Sequence, residues 1–535
     1  MTRLSPFLLL AALPALLSAQ ESPTSSSCPC SLRGTVINSV TGAPVPGALV
    51  QSSAASQPAT LTDSEGSFHF DGLPAGTLSV SATKPGFLAQ NPFLRQSTPI
   101  VVGPEAPPAV IKITPGGVIT GRVVDEQGEP LENFNIQLIR RAPSDGALYP
   151  HNFNAKAYTT NDLGVFRIPD LPAGSYFVLV SPSNMQTFQS SSAGAPLMYP
   201  AVYYPGVLDS SAGTGVKVTA GHESPANFTI SSKPAIRLSG SVVGILPGAL
   251  AELVLNGSSF AARSVQVDFD RRTGAFQTDW IPPGTYHLHA QSNDPSASET
   301  SARDVARRRA SLTVVAESTV TGIRIVLFPD VVIPVQVRGL SQSRESNLMT
   351  IFASQKGLGA GGQAAPRRNP KNPNEFLPDG YEFSFAPGTY RLNVTSYMNE
   401  DYYVESASLG STNLLAQDFI IDSSSTGSTV DIVLRKGAAT LSGTVPAMDA
   451  SRGAFICLFP PASSGRPFFE VAGQNGAFKF DHLAPGSYRA AAVDGFIDPD
   501  PANQDLLKWL FSAAKEFSLA PEQSLSLALE ITKAD

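Results

Sequence analysis

One short turn recurs five times along this chain and constrains its fold more than any other feature. It reads LPAGT at 73–77, LPAGS at 171–175, IPPGT at 281–285, FAPGT at 385–389 and LAPGS at 483–487. The turn glycines are Gly76, Gly174, Gly284, Gly388 and Gly486, at separations of 98, 110, 104 and 98 residues. A period near 100 residues marks tandem domains and is too long for a solenoid, so each copy is expected to bury its own core.

Two further signatures surround the turn. Four copies open on Gly-x-Val, at 34–36, 121–123, 240–242 and 443–445, whereas the fourth offers only VVIPVQVRGL. Just before the turn comes Gly-x-aromatic: GSFHF (66–70), GVFRI (164–168), GAFQT (274–278), a contracted GYEF (380–383) and GAFKF (476–480). After the turn, Tyr176, Val178 and Val180 alternate with Ser175, Phe177 and Leu179, and the other copies alternate likewise. Period two predicts strands with those faces turned inward. Pro placement predicts type I turns in the first two copies. In the last three, where Pro directly precedes Gly, it predicts type II turns with a positive φ at Gly. Each copy ends in two more apolar runs, such as GVKVTAGHESPANFTI, read as a closing hairpin.

About seven short strands per copy predict an all-β chain of five tandem seven-stranded-type β-sandwich domains. The expected boundaries are 32–115, 116–233, 234–329, 330–437 and 438–535, after a signal peptide at 1–19 and a linker at 20–31. One short amphipathic helix is expected in the last domain, where ANQDLLKWLFSAAKEF (502–517) aligns Leu506, Leu507, Leu510 and Ala514. The loop at 355–380, rich in Gly, Pro and Asn, reads as a hairpin insertion, and the basic run at 302–311 reads as solvated surface.

Arg3, the apolar run Phe7–Leu17 and the small residue Ala19 form a secretory signal, too short to span a membrane. The protein is therefore expected to be exported, to the extracellular space, the periplasm or the cell envelope, with no membrane span after signal removal. A net charge of −7 without a dense basic stripe excludes nucleic acid as the expected partner. Cys28, Cys30 and Cys457 are too few for a disulfide framework or a closed zinc site, and their pairing stays open.

The opening Gly-x-Val strand, GAPVPGALV (42–50), the Gly-x-Phe strand and LPAG together resemble the carboxypeptidase regulatory-like domain. Copies one and two carry the resemblance best; the later copies keep mainly the second half. It implies a transthyretin-like (prealbumin-like) sandwich, grouped with carbohydrate-binding-like folds. The catalytic zinc domain that such domains accompany in metallocarboxypeptidases has no counterpart here, since no His-x-x-Glu or His-Glu-x-x-His occurs.

Nor does the chain contain Gly-x-Ser-x-Gly or a Gly-Lys dipeptide, so no enzyme and no cofactor is expected. His287 and His289 share one strand face and are weak metal candidates. The equivalent positions hold Ser79 and Ser81, or Arg391 and Asn393, as a solvated face would, and no metal site is assigned. Tyr199, Tyr203 and Tyr204, in the Pro-stiffened LMYPAVYYPG, are candidate ligand-binding residues, because aromatic faces on a stiff loop stack on sugars or peptides. The reading is a non-catalytic binding or adhesion module at the cell envelope, with carbohydrate or protein as ligand. Two alternatives stay open: a spacer array without a specific ligand, and a hydrolase with an unrecognised site.

Overall fold

The computed structural model describes residues 30–52, 59–88, 98–141, 148–151, 158–183, 194–257, 265–293, 307–339, 349–355, 361–369, 372–396, 401–446, 448–461, 465–473, 476–495 and 503–532. The expected signal peptide and Cys28 lie outside these residues. The chain divides into two compact units, one of residues 1–36, 44–82 and 90–111, the other of the remainder. Among the described residues no helix is long and apolar enough to cross a membrane.

The described strands form five successive pairs of sheets, with one extra two-stranded ribbon joining Leu197–Met198 to Lys233–Pro234. The first pair has three and four strands, seven in all, and the third has four and four. Cores lie between the paired sheets. In the second pair, Ile119, Phe166 and Ile168 from one sheet meet Val178, Val180 and Leu138 from the other. Alternating burial along Val165–Leu171 and Gly284–Asn293 follows from the period-two pattern: one face packs and the other is wet.

The two signatures before the turn turn out to be two halves of one contact. In all four copies that have it, the opening glycine lies directly opposite the aromatic residue: Gly34 faces Phe68, Gly121 faces Phe166, Gly240 faces Phe276 and Gly443 faces Phe478. A Cβ on Gly34 or Gly443 would come within 2.5 Å of the phenyl ring tip, and one on Gly121 within 2.7 Å. On its other side each glycine abuts a backbone carbonyl of a neighbouring segment, that of Ala109, Ala226, Ile323 or Leu527. Glycine is needed for close approach, and the aromatic ring fills the room it leaves. In the fourth copy Val335 stands opposite Tyr381, and the pairing runs without a register break. In the first, second and fifth copies the same pairing carries a bulge, between Cys30 and Leu32, opposite Ile168–Leu171 and between Ala439 and Leu441; in the third it runs without one.

Two expectations are corrected. The closing runs are not hairpins. Val216–Val218 pairs antiparallel with Gly174–Pro182 in one sheet, while Glu223–Pro225 pairs parallel with Gly117–Val124 in the other. The third and fifth pairs repeat this, with Val320–Val326 and Ser524–Ala528 parallel to the opening strands. The chain thus crosses between sheets, and local alternation carries no information about which sheet a strand joins. Of the three turn glycines expected at positive φ, Gly486 has it and Gly284 and Gly388 do not.

A tyrosine stabilises the turn instead. The Tyr176 hydroxyl donates to the carbonyl of Pro172 at 2.7 Å, Tyr390 to Ala386 at 2.8 Å and Tyr488 to Ala484 at 2.8 Å; Tyr286 does the same to Pro282. Each bond spans four residues and ties the turn to the strand that leaves it, a tyrosine-corner arrangement. Tyr488→Phe is expected to cost about 1 kcal/mol, the worth of one such hydrogen bond. An unchanged unfolding midpoint in that variant would show that the turn holds without its latch.

His151 packs edge-on against Tyr176, with ring centroids 5.0 Å apart. Burial, reinforced by the Arg140 guanidinium, lowers its pKa to about 4. Because the folded-state value lies below the ordinary 6.5, the unfolded chain takes up the proton first, and stability falls as pH drops from 6.5 toward 4. Between about pH 7.5 and about pH 5 the loss is expected to be about 2 kcal/mol. Urea titrations at both pH values, with His151→Phe for comparison, check this; an equal loss in both proteins would rule it out.

In the fifth pair every residue of Ala454–Phe459 is buried. The helix Gln504–Ala513 covers the outer face of that strand, placing Leu510 against Phe455, Cys457 and Phe459. Asn503 caps it by accepting from the Leu506 amide at 3.0 Å, and the helix ends where Lys515–Leu519 joins the sheet. Burial raises the Cys457 thiol to about 12, which removes its reactivity. The hairpin insertion is present as Ala365–Asn369 paired with Asn372–Phe385.

Candidate functional site

The three candidate tyrosines do not form one open face. Tyr203 is 4% exposed and packs with Ile139 and Leu179. Tyr199 and Tyr204 are half-buried on the core of the second pair, each edge-on to a phenylalanine: Phe134 at 5.6 Å and Phe228 at 5.6 Å. Adjacent residues of an extended segment point to opposite sides, so Tyr203 and Tyr204 cannot share a ligand face. Pro spacing signalled stiffness but not which ring would be taken by the core.

His287 and His289 do share the outer face of Gly284–Asn293, the central strand of its sheet. Each ring is already engaged through Nδ1, His287 with the Thr313 hydroxyl at 2.9 Å and His289 with the Ser311 hydroxyl at 2.8 Å. Burial lowers both pKa values, and for His289 the neighbouring His287 adds to the effect. Among the described residues no group of three or more His, Cys, Asp or Glu is placed to hold a metal. The turn glycines sit at the first residue of each post-turn strand and line no common site.

The structure assembles these histidines into something larger. Strand register places Glu252, Gln291 and Arg309 in one row across three strands, Val254, His289 and Ser311 in the next, and Asn256, His287 and Thr313 in a third. The intervening residues Leu253, Leu255, Leu288 and Ala290 point into the core, which is why these rows face outward. The first two rows form one wall of a cleft of about 340 Å³. The opposite wall belongs to the fourth sheet pair: Gln355, Ser384, Tyr390, and Phe385 and Ala386 from the fourth copy of the recurring turn.

An ion pair with a buried carboxylate joins the walls. Arg309 donates through Nε and Nη2 to both carboxylate oxygens of Asp330, at 2.9 and 2.6 Å, and Nη2 also reaches the Ser384 carbonyl at 2.8 Å. The Ser384 hydroxyl donates to the same carboxylate at 2.7 Å, and the Asp330 side chain is only 4% exposed. The basic run at 302–311, expected at the surface, therefore contributes Arg309 to a packed junction. No local pattern in the sequence could have found this, because its partners lie 21 and 75 residues away. The two later sheet pairs are joined in a similar way, with Asp418 accepting from Arg391 at 3.0 Å and from Arg466 at 2.7 Å.

Comparison with known proteins bears on the fold. No curated protein sequence matches the chain. Among solved structures, the minor pilin of Streptococcus agalactiae aligns at 17% identity over 38% of this chain and 97% of its own, with a TM-score of 0.20. A double mutant of the shaft pilin SpaA from Lactobacillus rhamnosus GG aligns at 11% identity over 41% of this chain and all of its own, with a TM-score of 0.22. The pilus protein RrgB from Streptococcus pneumoniae aligns at 6% identity over 78% of this chain and 98% of its own, with a TM-score of 0.16. Scores this low carry no functional argument. The family comparison is specific to the first part of the chain: residues 31–111 and 118–231 each match the model of the carboxypeptidase regulatory-like domain.

Proposed function

We propose that this protein is exported and acts at the cell envelope as a non-catalytic binding module whose ligand is carbohydrate or protein. The observation that carries the reading is the cleft between the third and fourth sheet pairs, a concave site with several polar side chains converging from two walls. Sequence supports export through residues 1–19. Tyr199 and Tyr204 form a second candidate surface in this reading, since part of each ring stays outside; Tyr203 belongs to the core.

The test is an array of glycans and polysaccharides probed with the chain from residue 20 onward. Selective, saturable binding supports the module. A blank array removes carbohydrate from the proposal and leaves a protein ligand or the spacer reading.

A further inference from the structure

We infer that the cleft between the third and fourth sheet pairs is a binding site for a neutral oligosaccharide, recognised by Glu252, Gln291, His289 and Arg309. This rests on the binding-module reading above and names its ligand class and contacts.

Volume sets the first limit. About 340 Å³ is at the lower end of small-molecule sites and admits a short segment of a chain rather than a protein surface.

Charge sets the second. Arg309 is neutralised by its two-point pairing with buried Asp330, and His289 is held toward its neutral form by burial. The remaining formal charge on the wall is the Glu252 carboxylate, one of whose oxygens accepts from Gln291 Nε2 at 2.8 Å. A phosphate or uronate would meet that carboxylate, and a single exposed carboxylate holds a cationic ligand only weakly.

The atoms left for a ligand are of mixed kind. Glu252 Oε1 and Gln291 Oε1 accept, Arg309 Nη1 donates, and His289 Nε2 does one or the other according to the tautomer its Nδ1 bond to Ser311 selects; none of these has a protein partner among the described residues. Hydroxyl groups, which both donate and accept, satisfy such a set, while the half-buried Val254 provides apolar backing for a sugar ring. An extended peptide is disfavoured because the strand bearing His289 is hydrogen-bonded on both sides, to Leu250–Gly257 and Arg307–Ala316, and offers no free edge.

The deciding experiment is isothermal titration of the chain from residue 20 onward with cello-, xylo-, manno-, malto- and chitohexaose, and with polygalacturonate as the anionic probe. At least one neutral hexasaccharide is expected to bind. Glu252→Ala and Gln291→Ala, at partly exposed positions, are each expected to weaken it at least about tenfold, the loss of a hydrogen bond to a charged or well-placed group. Thermal unfolding of both variants should match the parent. Neutral saccharide binding that survives both cleft variants would remove the cleft while leaving the binding-module reading intact. Binding of polygalacturonate alone, or of none of the six probes, would overturn the ligand class.

Discussion

Gly121→Ala is expected to destabilise the second sheet pair by about 4 kcal/mol, the upper range for forcing atoms into a packed site. The new methyl would strike both the Ala226 carbonyl and the Phe166 ring, and neither can withdraw. Ala226 N donates to the Thr120 carbonyl at 2.8 Å, which holds that segment in parallel register, and Phe166 is 2% exposed in the core. Gly284→Ala is the informative control. Gly284 belongs to the recurring turn, yet its φ is not positive and a Cβ there would meet only the Tyr286 ring edge at 3.9 Å. That variant is expected to unfold within about 0.5 kcal/mol of the parent. Hydrogen exchange resolved by segment should show lost protection in 118–231 for Gly121→Ala alone. Equal behaviour of the two variants would refute the assigned role of the opening glycine.

Asp330→Ala is expected to cost about 2 kcal/mol, because a buried carboxylate that accepts three hydrogen bonds is lost while Arg309, one-third exposed, is partly rehydrated. Arg309 would lose two hydrogen bonds and Ser384 one, and the two walls of the cleft would lose their shared anchor. Scanning calorimetry should show one transition lowered by about 10 °C, the shift such a loss produces in a domain of this size. Saccharide affinity should fall in the same variant, since Arg309 would no longer be oriented. A thermogram identical to the parent's would mean that the junction is held by something other than this pair.

These cases show what was legible beforehand. Period-two alternation after the turn located the strands Gly174–Pro182 and Gly284–Asn293, and it placed Tyr176 and Tyr286 inward correctly. The Gly-x-Val and Gly-x-Phe signatures were visible as separate motifs, but their mutual contact spans 34 residues for Gly34 and Phe68 and 45 for Gly121 and Phe166. Composition in LMYPAVYYPG pointed to stacking surfaces, whereas the core took Tyr203 and half-covered its neighbours. His287 and His289 were recognised as sharing a face, but the rows on either side of them depend on the register of two other strands.

Sequence alone determined that this chain is a succession of short strands, where each reverses, which side of each faces a core, and that the unit recurs near every hundred residues. Those properties follow from alternation and turn chemistry within a few residues, where backbone geometry acts directly on residue type. Tertiary structure decided which sheet each closing strand joins, why the opening glycine cannot carry a side chain, and which outward face meets a second wall. Those outcomes depend on backbone pairing and on packing between segments far apart in the chain, and no local pattern encodes either.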